Sequence, residues 1–287
     1  MNDITLSSSA VLVDLTIRGW TGKKLDKDVS NEIDAAKSTQ VKAGAYQKNL
    51  LAGSGELASV NQYAMMIRAW HAKATLPWSD SGTRLLPTSS LQRYMQELSD
   101  HEVEYRARVS DFQQAYTTLI QAAQFRLGQL FKLSDYPDPS EIPGKFELRT
   151  AMYPLPEAGD FRVDIGNAGL AELRATYQEQ QQKRIQEAVD DVRDRVKTAL
   201  QKISNQLRVE PDGTKGRMHE VTLENAIELC NDLNGFNLTR DPELDALKKE
   251  MHDILMGVDI REMKRDEFLR RQAKQDVDAL LDKFNFN

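Results

Sequence analysis

NAGLAELRATYQEQQQKRIQEAVDDVRDRVKTALQKISNQL, residues 167–207, runs without a proline. Its apolar positions are Leu170, Leu173, Tyr177, Ile185, Val189, Val192, Val196, Leu200, Ile203 and Leu207. Steps of three and four place them on one helical face. A helix of about forty residues is roughly 60 Å long at 1.5 Å per residue. A rod of that length needs a partner along its stripe, from this chain or from another.

The stripe has an internal repeat. Ile185, Val189 and Val192 recur eleven residues on as Val196, Leu200 and Ile203. Eleven residues in three turns is about 3.67 per turn, so a left-handed zipper is disfavoured and a straight helix in a bundle or stalk fits better. Upstream the stripe weakens at Gln180, Gln181 and Gln182. Two readings stay open at this point. Either the helix is the longest member of a bundle, or Ile185, Val189, Val192, Val196, Leu200 and Ile203 form a self-association surface.

Outward from that helix, Val11, Val13, Leu15 and Ile17 alternate with polar residues and predict a strand near 10–18. Leu25 to about Leu51 reads as a helix, Gly53-Ser54-Gly55 as a break and Glu56 to Ala74 as a second helix, together an antiparallel hairpin. Pro77 to Gly82 has the residues of a loop. A third helix is expected from about Ser89 to Phe131, with a break near His101 because Ser99 and Glu102 fit a capping box. Five prolines mark residues 134–166, and two alternating runs there predict strands near 146–153 and 160–165. Beyond the Pro211-Asp212-Gly213 turn, a short helix covers Thr222 to Asn234. Asp241-Pro242-Glu243 then has the residue order of a helix start. That helix runs to about Met256, and a last one from about Ile260 to Phe284. The expected class is mainly α with a small antiparallel β-sheet (α+β), an elongated bundle. Residues 9–235 are read as a helical core with the sheet, and 236–287 as a C-terminal helical extension.

The 287 residues suffice for a sizeable core. A net charge of −6 at pH 7 argues against a constitutive polyanion binder but not against a local basic face. The single cysteine, Cys230, cannot make an internal disulfide, which points to a reducing compartment. No run of apolar residues approaches a membrane span, and the expected location is the cytoplasm of a bacterial host.

Chemical motifs are sparse. His71, His101, His219 and His252 stand far apart in sequence, and there is no HExxH or CxxC. Gly22-Lys23-Lys24 and Gly144-Lys145-Phe146 both fail the phosphate-loop pattern. No metal, cofactor or catalytic residue is therefore expected, and an enzyme is the reading with least support. Two surfaces suit a single nucleic-acid strand, where cations meet phosphates and aromatics stack on bases. One is Lys23, Lys24 and Lys27 after Trp20. The other is Arg261, Lys264, Arg265, Arg270, Arg271 and Lys274 on the last helix. A solvated helix face is the plain alternative for both.

Four segments carry a resemblance. They are Trp20-Thr21-Gly22-Lys23-Lys24-Leu25-Asp26, Lys48-Asn49-Leu50-Leu51-Ala52-Gly53, Thr75-Leu76-Pro77-Trp78-Ser79-Asp80, and Pro156 to Gly166 with its Ala158-Gly159-Asp160-Phe161 core. Over roughly residues 8–235 the chain resembles the uncharacterised "domain of unknown function 3150" family of tailed phages and conjugative elements. Members of that family are often encoded among DNA-processing and recombination genes, sometimes near a CobS-like AAA+ ATPase. The resemblance implies a mobile-element role and carries over no catalytic residue. Its loops make Trp78, Asp80, Asp160 and Phe161 a candidate partner-binding edge, with anchoring of loops on the core as the alternative. The leading expectation is a non-enzymatic, self-associating or scaffold protein of a phage or mobile element. The alternatives are a single-stranded DNA-binding or annealing accessory and an adaptor for an AAA+ ATPase. The partners implied are a second copy of the chain, single-stranded DNA or that ATPase, with no membrane.

Overall fold

The computed structural model describes residues 6–156 and 166–284. The chain is mainly helical with a small antiparallel sheet. A single turn, α1 (Leu6–Ser9), leads into β1 (Ala10–Arg18), β2 (Lys23–Asp26), α2 (Lys27–Ala36) and β3 (Tyr46–Asn49). Next come α3 (Glu56–Ala74), β4 (Leu76–Pro77), β5 (Arg84–Pro87) and α4 (Leu91–Leu127). Short 3-10 turns and β6 (Glu147–Pro154) precede α5 (Gly166–Leu207), α6 (Glu220–Phe236), α7 (Pro242–Met256), α8 (Ile260–Arg265) and α9 (Glu267–Lys283). The strand order is β4-β5-β1-β6, with β2 and β3 forming a separate antiparallel pair.

Several expectations are corrected. Leu25 to Leu51 is not one helix. Asp26 ends β2 and caps α2, accepting from the Val29 amide at 3.2 Å, and Ser38 then turns the chain with φ 53°. The rest of that segment returns as β3, in register from Lys23↔Asn49 to Asp26↔Tyr46. The loop expected over Pro77 to Gly82 is present from Trp78 on, with only Pro77 drawn into β4, and the unexpected β5 pairs with β1 from Ala10↔Pro87 to Val13↔Arg84. The break near His101 is absent, because buried Tyr94, Leu98, Tyr105, Phe112 and Tyr116 carry one stripe through it. With its flanking 3-10 turns, α4 makes a second rod of ~43 residues. The strand expected near 160–165 lies outside the described residues.

The chain divides into two compact units. Residues 1–14, 74–92 and 152–287 form the first, and residues 15–73 and 93–151 the second. In the first, α5 contacts α6 and α9, and α6 contacts α7. Val192, Val196 and Leu200 are fully buried and Ile203 nearly so, while Ile185 and Val189 are half-buried against the same cluster. The stripe expected to bind a second copy is thus covered by the chain's own α6 and α9. Leu247 and Met251 of α7 and Val277 of α9 belong to that cluster too. Residues 236–284 are therefore part of the main core and not an appended extension.

The second unit is built on α3 and α4 around Val60, Ile67, Phe112, Tyr116 and Ile142. Its tyrosines tie helix to loop: Tyr105 donates to the Arg18 carbonyl at 3.0 Å, Tyr116 to Pro137 at 3.0 Å and Tyr136 to Leu50 at 2.7 Å. Each hydroxyl thus keeps a partner although its ring is buried.

Candidate functional site

Two aspartate caps organise the C-terminal surface. Asp259 accepts from the Arg261 amide at 2.7 Å and the Glu262 amide at 3.3 Å, which starts α8. Asp266 accepts from Phe268 at 2.8 Å and Leu269 at 3.2 Å, which ends α8 and starts α9. Such caps satisfy amides that a helix start leaves without partners. The single last helix expected from sequence is therefore two. Ile260 and Met263 hold α8 to the core, and Ala273, Val277 and Leu280 hold α9.

Six cations were expected to face solvent on this surface, and they divide by role. Arg261, Lys264 and Arg265 are exposed, and none has an ion-pair partner among the described residues. Three residues beyond Arg265, Phe268 is 75% exposed. Arg271 is also exposed, yet it is paired with Glu267 at 2.7 Å, and that hydrogen bond holds the Glu267 carboxyl below its ordinary range. Lys274 is paired with Asp278 and reaches Ser204 at 3.2 Å.

Arg270 is the exception, at 2% exposure. Its Nε donates to the Leu207 carbonyl at 3.0 Å, and a terminal nitrogen donates to Gln206 at 2.6 Å and also to Gly216. Those carbonyls lie at the C-terminal end of α5 and in the turn beyond it, where a cation favours the helix dipole. Gly216 permits the approach, since a Cβ there would lie 2.6 Å from the Asn205 oxygen. Arg270 therefore closes the long helix and does not face a phosphate.

The N-terminal basic segment is also committed elsewhere. The side chain of Lys48, 1% exposed, bonds Asp26 at 3.0 Å, Asp135 at 2.5 Å and the Leu130 carbonyl at 2.7 Å. These contacts use all three ammonium donors. Lys24 pairs with Asp135 at 2.9 Å. Burial works against the Lys48 ammonium, but its hydrogen bonds to Asp135 and Asp26 outweigh that and raise its pKa. The Lys48 hydrogen bond lowers Asp26, and the bonds from Lys48 and Lys24 lower Asp135 against its burial. Trp20, expected as a stacking partner, instead packs on Phe112 and Tyr116, with ring centroids 6.2 and 5.9 Å away. Lys23 and Lys27 remain exposed.

Of the expected partner loop, Trp78 is 4% exposed in the core of the first unit, with the Arg184 guanidinium 5.6 Å from its ring centre. Asp80 is exposed in the following turn. Asp160 and Phe161 lie outside the described residues.

One cluster went unnoticed in the sequence. Trp70 of α3 stacks on Tyr94 of α4, centroids 4.7 Å apart, and meets His101 edge-on at 4.7 Å. Tyr63 bonds His101 at 3.0 Å, Tyr94 bonds His71 at 2.8 Å, and the Trp70 indole donates to Glu97 at 2.6 Å. Burial pushes the Tyr94 hydroxyl pKa up. The signal was there: Tyr63 and Trp70 stand seven apart on one helix, as do Tyr94 and His101 on the next, which is the spacing of one face. The interlocked rings hold α3 against α4. Among the described residues no group of three or more histidine, cysteine, aspartate or glutamate side chains is arranged to hold a metal ion, and no helix is long and apolar enough to cross a membrane.

No family model, curated protein or solved structure matches this chain.

Proposed function

We propose that this is a non-enzymatic binding protein that engages a single nucleic-acid strand through the start of α9 and the outer face of α8. One observation carries the reading: an exposed phenyl ring, Phe268, follows within seven residues three exposed cations, Arg261, Lys264 and Arg265, that make no ion pair among the described residues. Cations collect phosphates and an open ring stacks on any base, so the surface suits a strand without regard to sequence. The non-enzymatic part is supported by the roles of the buried charged groups. Lys48 and its aspartates, and Arg270, are each bound up in holding backbone and helices in place. The resemblance to a phage and mobile-element family, whose members are often encoded among DNA-processing genes, is in keeping with such an accessory.

The test is fluorescence anisotropy with a labelled oligothymidylate at low salt. Micromolar affinity is expected, falling steeply with salt. Phe268→Ala should cost roughly tenfold, in line with about 1–3 kcal/mol per stacked base. No anisotropy change at micromolar protein would remove the reading. A self-associating scaffold is the second reading, favoured by an acid-lined pocket beside this basic surface.

A further inference from the structure

Helix α8 separates two surfaces of opposite charge. On one flank, a pocket of about 360 Å3 opens between the end of α7, α8 and α9. Its carboxylates are Asp253, Asp259, Glu262 and Asp276, and Ile254, Val258, Met263 and Leu269 supply apolar lining. On the outer face are Arg261, Lys264 and Arg265. Positions 262 and 265 of a helix differ by about 60° in projection at 100° per residue, so acid and cation are close neighbours. Exposed apolar side chains rim the same region: Met256 at 67%, Phe268 at 75% and Leu269 at 40%.

An acidic pocket repels a nucleic acid and calls for a cationic segment bearing an apolar side chain. The Arg261-to-Phe268 segment of this chain has that composition. A two-fold interface needs one patch complementary to itself, with each copy offering both halves. We propose that two copies associate through α8 and α9, the basic face and Phe268 of one copy meeting the acid-lined pocket of the other. This rests on the scaffold reading, gives it a surface other than the long-helix stripe, and does not require strand binding. A phenyl side chain fits within 360 Å3. Because the face has a second claimant, a strand and a second copy should compete for it.

The experiment is sedimentation equilibrium of the whole protein at low salt, with two double variants. Glu262→Lys with Asp276→Lys reverses the pocket, and Arg261→Glu with Arg265→Glu reverses the outer face. Wild-type protein should show twice the 32.6 kDa chain mass and dissociate as salt is raised. Each variant alone should be monomeric, and an equimolar mixture should recover the dimer, because both contacts are then opposite in charge again. The recovery also shows that both variants are folded. A monomeric wild type at about 100 µM would overturn the inference and the scaffold reading together. A dimer that survives both variants, or a mixture that stays monomeric, would overturn only this surface. The pocket variant should also bind oligothymidylate at least as tightly as wild type.

Discussion

Replacing Arg270 by methionine separates two accounts of one residue. The sequence groups it with cations awaiting a phosphate, whereas the structure makes it the closing group of α5. Methionine keeps much of the apolar stem and removes the guanidinium, so lost packing is a small part of the effect. Three carbonyl acceptors, on Gln206, Leu207 and Gly216, lose their donor. Hydrogen bonds involving a charged group contribute about 1.5–3 kcal/mol each. Loss of the cation at the helix end adds about 0.3–1 kcal/mol. These do not simply sum, since water reaches part of the turn and the buried guanidinium no longer has to be desolvated. A net loss of about 3–4 kcal/mol is expected, several times that of an exposed substitution. At roughly 2–4 °C per kcal/mol, the melting temperature should fall by about 6–16 °C. Thermal unfolding followed by circular dichroism at 222 nm measures it, with Arg271→Met as control, since the side chain of Arg271 is 61% exposed and its ion pair is worth little. A melting temperature within about 2 °C of wild type, together with reduced strand affinity, would refute the structural account and return Arg270 to the binding surface.

Three further outcomes follow from buried groups. Asp26 and Asp135 titrate below the ordinary carboxylate value of 3.8 when folded, so their share of stability is complete above that value and drains as pH falls below it toward the folded pKa values. Lys48 is raised above 10.5, so its share is present below 10.5 and lost as pH rises past it. Urea midpoints across pH should therefore decline in acid below about pH 4 in wild type, and Lys48→Met should lower the midpoint at neutral pH; an unchanged midpoint would remove the network from the stability account. Val196→Asp places a charge at a fully buried site and should unfold the first unit, leaving no folded monomer by circular dichroism; a folded, monomeric variant would restore the self-association stripe. Cys230 is 2% exposed with its thiol raised by burial, so native protein should react with a thiol reagent far more slowly than urea-unfolded protein, and equal rates would count against its burial.

Legibility tracked how local the deciding forces were. Asp241 was readable because a cap, a proline and an acid act within one turn, and its carboxylate accepts from the Glu243 amide at 2.8 Å. The stripe through Val192, Val196 and Leu200 was readable as a face, but periodicity cannot say whose surface covers it. The β2–β3 pair was not readable. Leu25 is 46% exposed and Lys48 is buried, the reverse of their hydropathy, because the register puts the Lys48 ammonium between Asp26 and Asp135. That depends on a partner 87 positions away in sequence, outside any local window. In the candidate site, Arg261, Lys264 and Arg265 are exposed, while Arg270, in the same short run, is buried.

The contrast between Arg270 and Arg265 bears on how basic runs become binding surfaces. A cation near a helix terminus is first drawn to that terminus, since carbonyls at a helix end are fixed and numerous. The register of α9 turns Arg270 inward with Ala273 and Val277, so it meets the end of α5. Asp266 interrupts the run between Arg265 and Phe268, and Arg261, Lys264 and Arg265 on α8 are exposed. Had residues 260–284 formed the single helix expected, the 100° step would still have put Phe268 within about 60° of Arg261, Lys264 and Arg265, and Arg270 on the side of Met263 and Val277. The exposure of Phe268 on the cation side thus follows from residue spacing alone, and the break at Asp266 adds a cap. On this account Asp266 is a cap, and the core contacts of Met263 and Ala273 set which side chains face out. Asp266→Ala should cost about 1 kcal/mol of stability as a lost cap and leave strand binding nearly unchanged, since even a fused helix would keep Phe268 on the cation face. Crosslinking between cysteines placed at Arg265 and Phe268, neither of which belongs to the core, would report the change in geometry. Altered crosslinking with weakened strand affinity would show instead that the Asp266 cap, and not the core contacts of Met263 and Ala273, sets the exposed face.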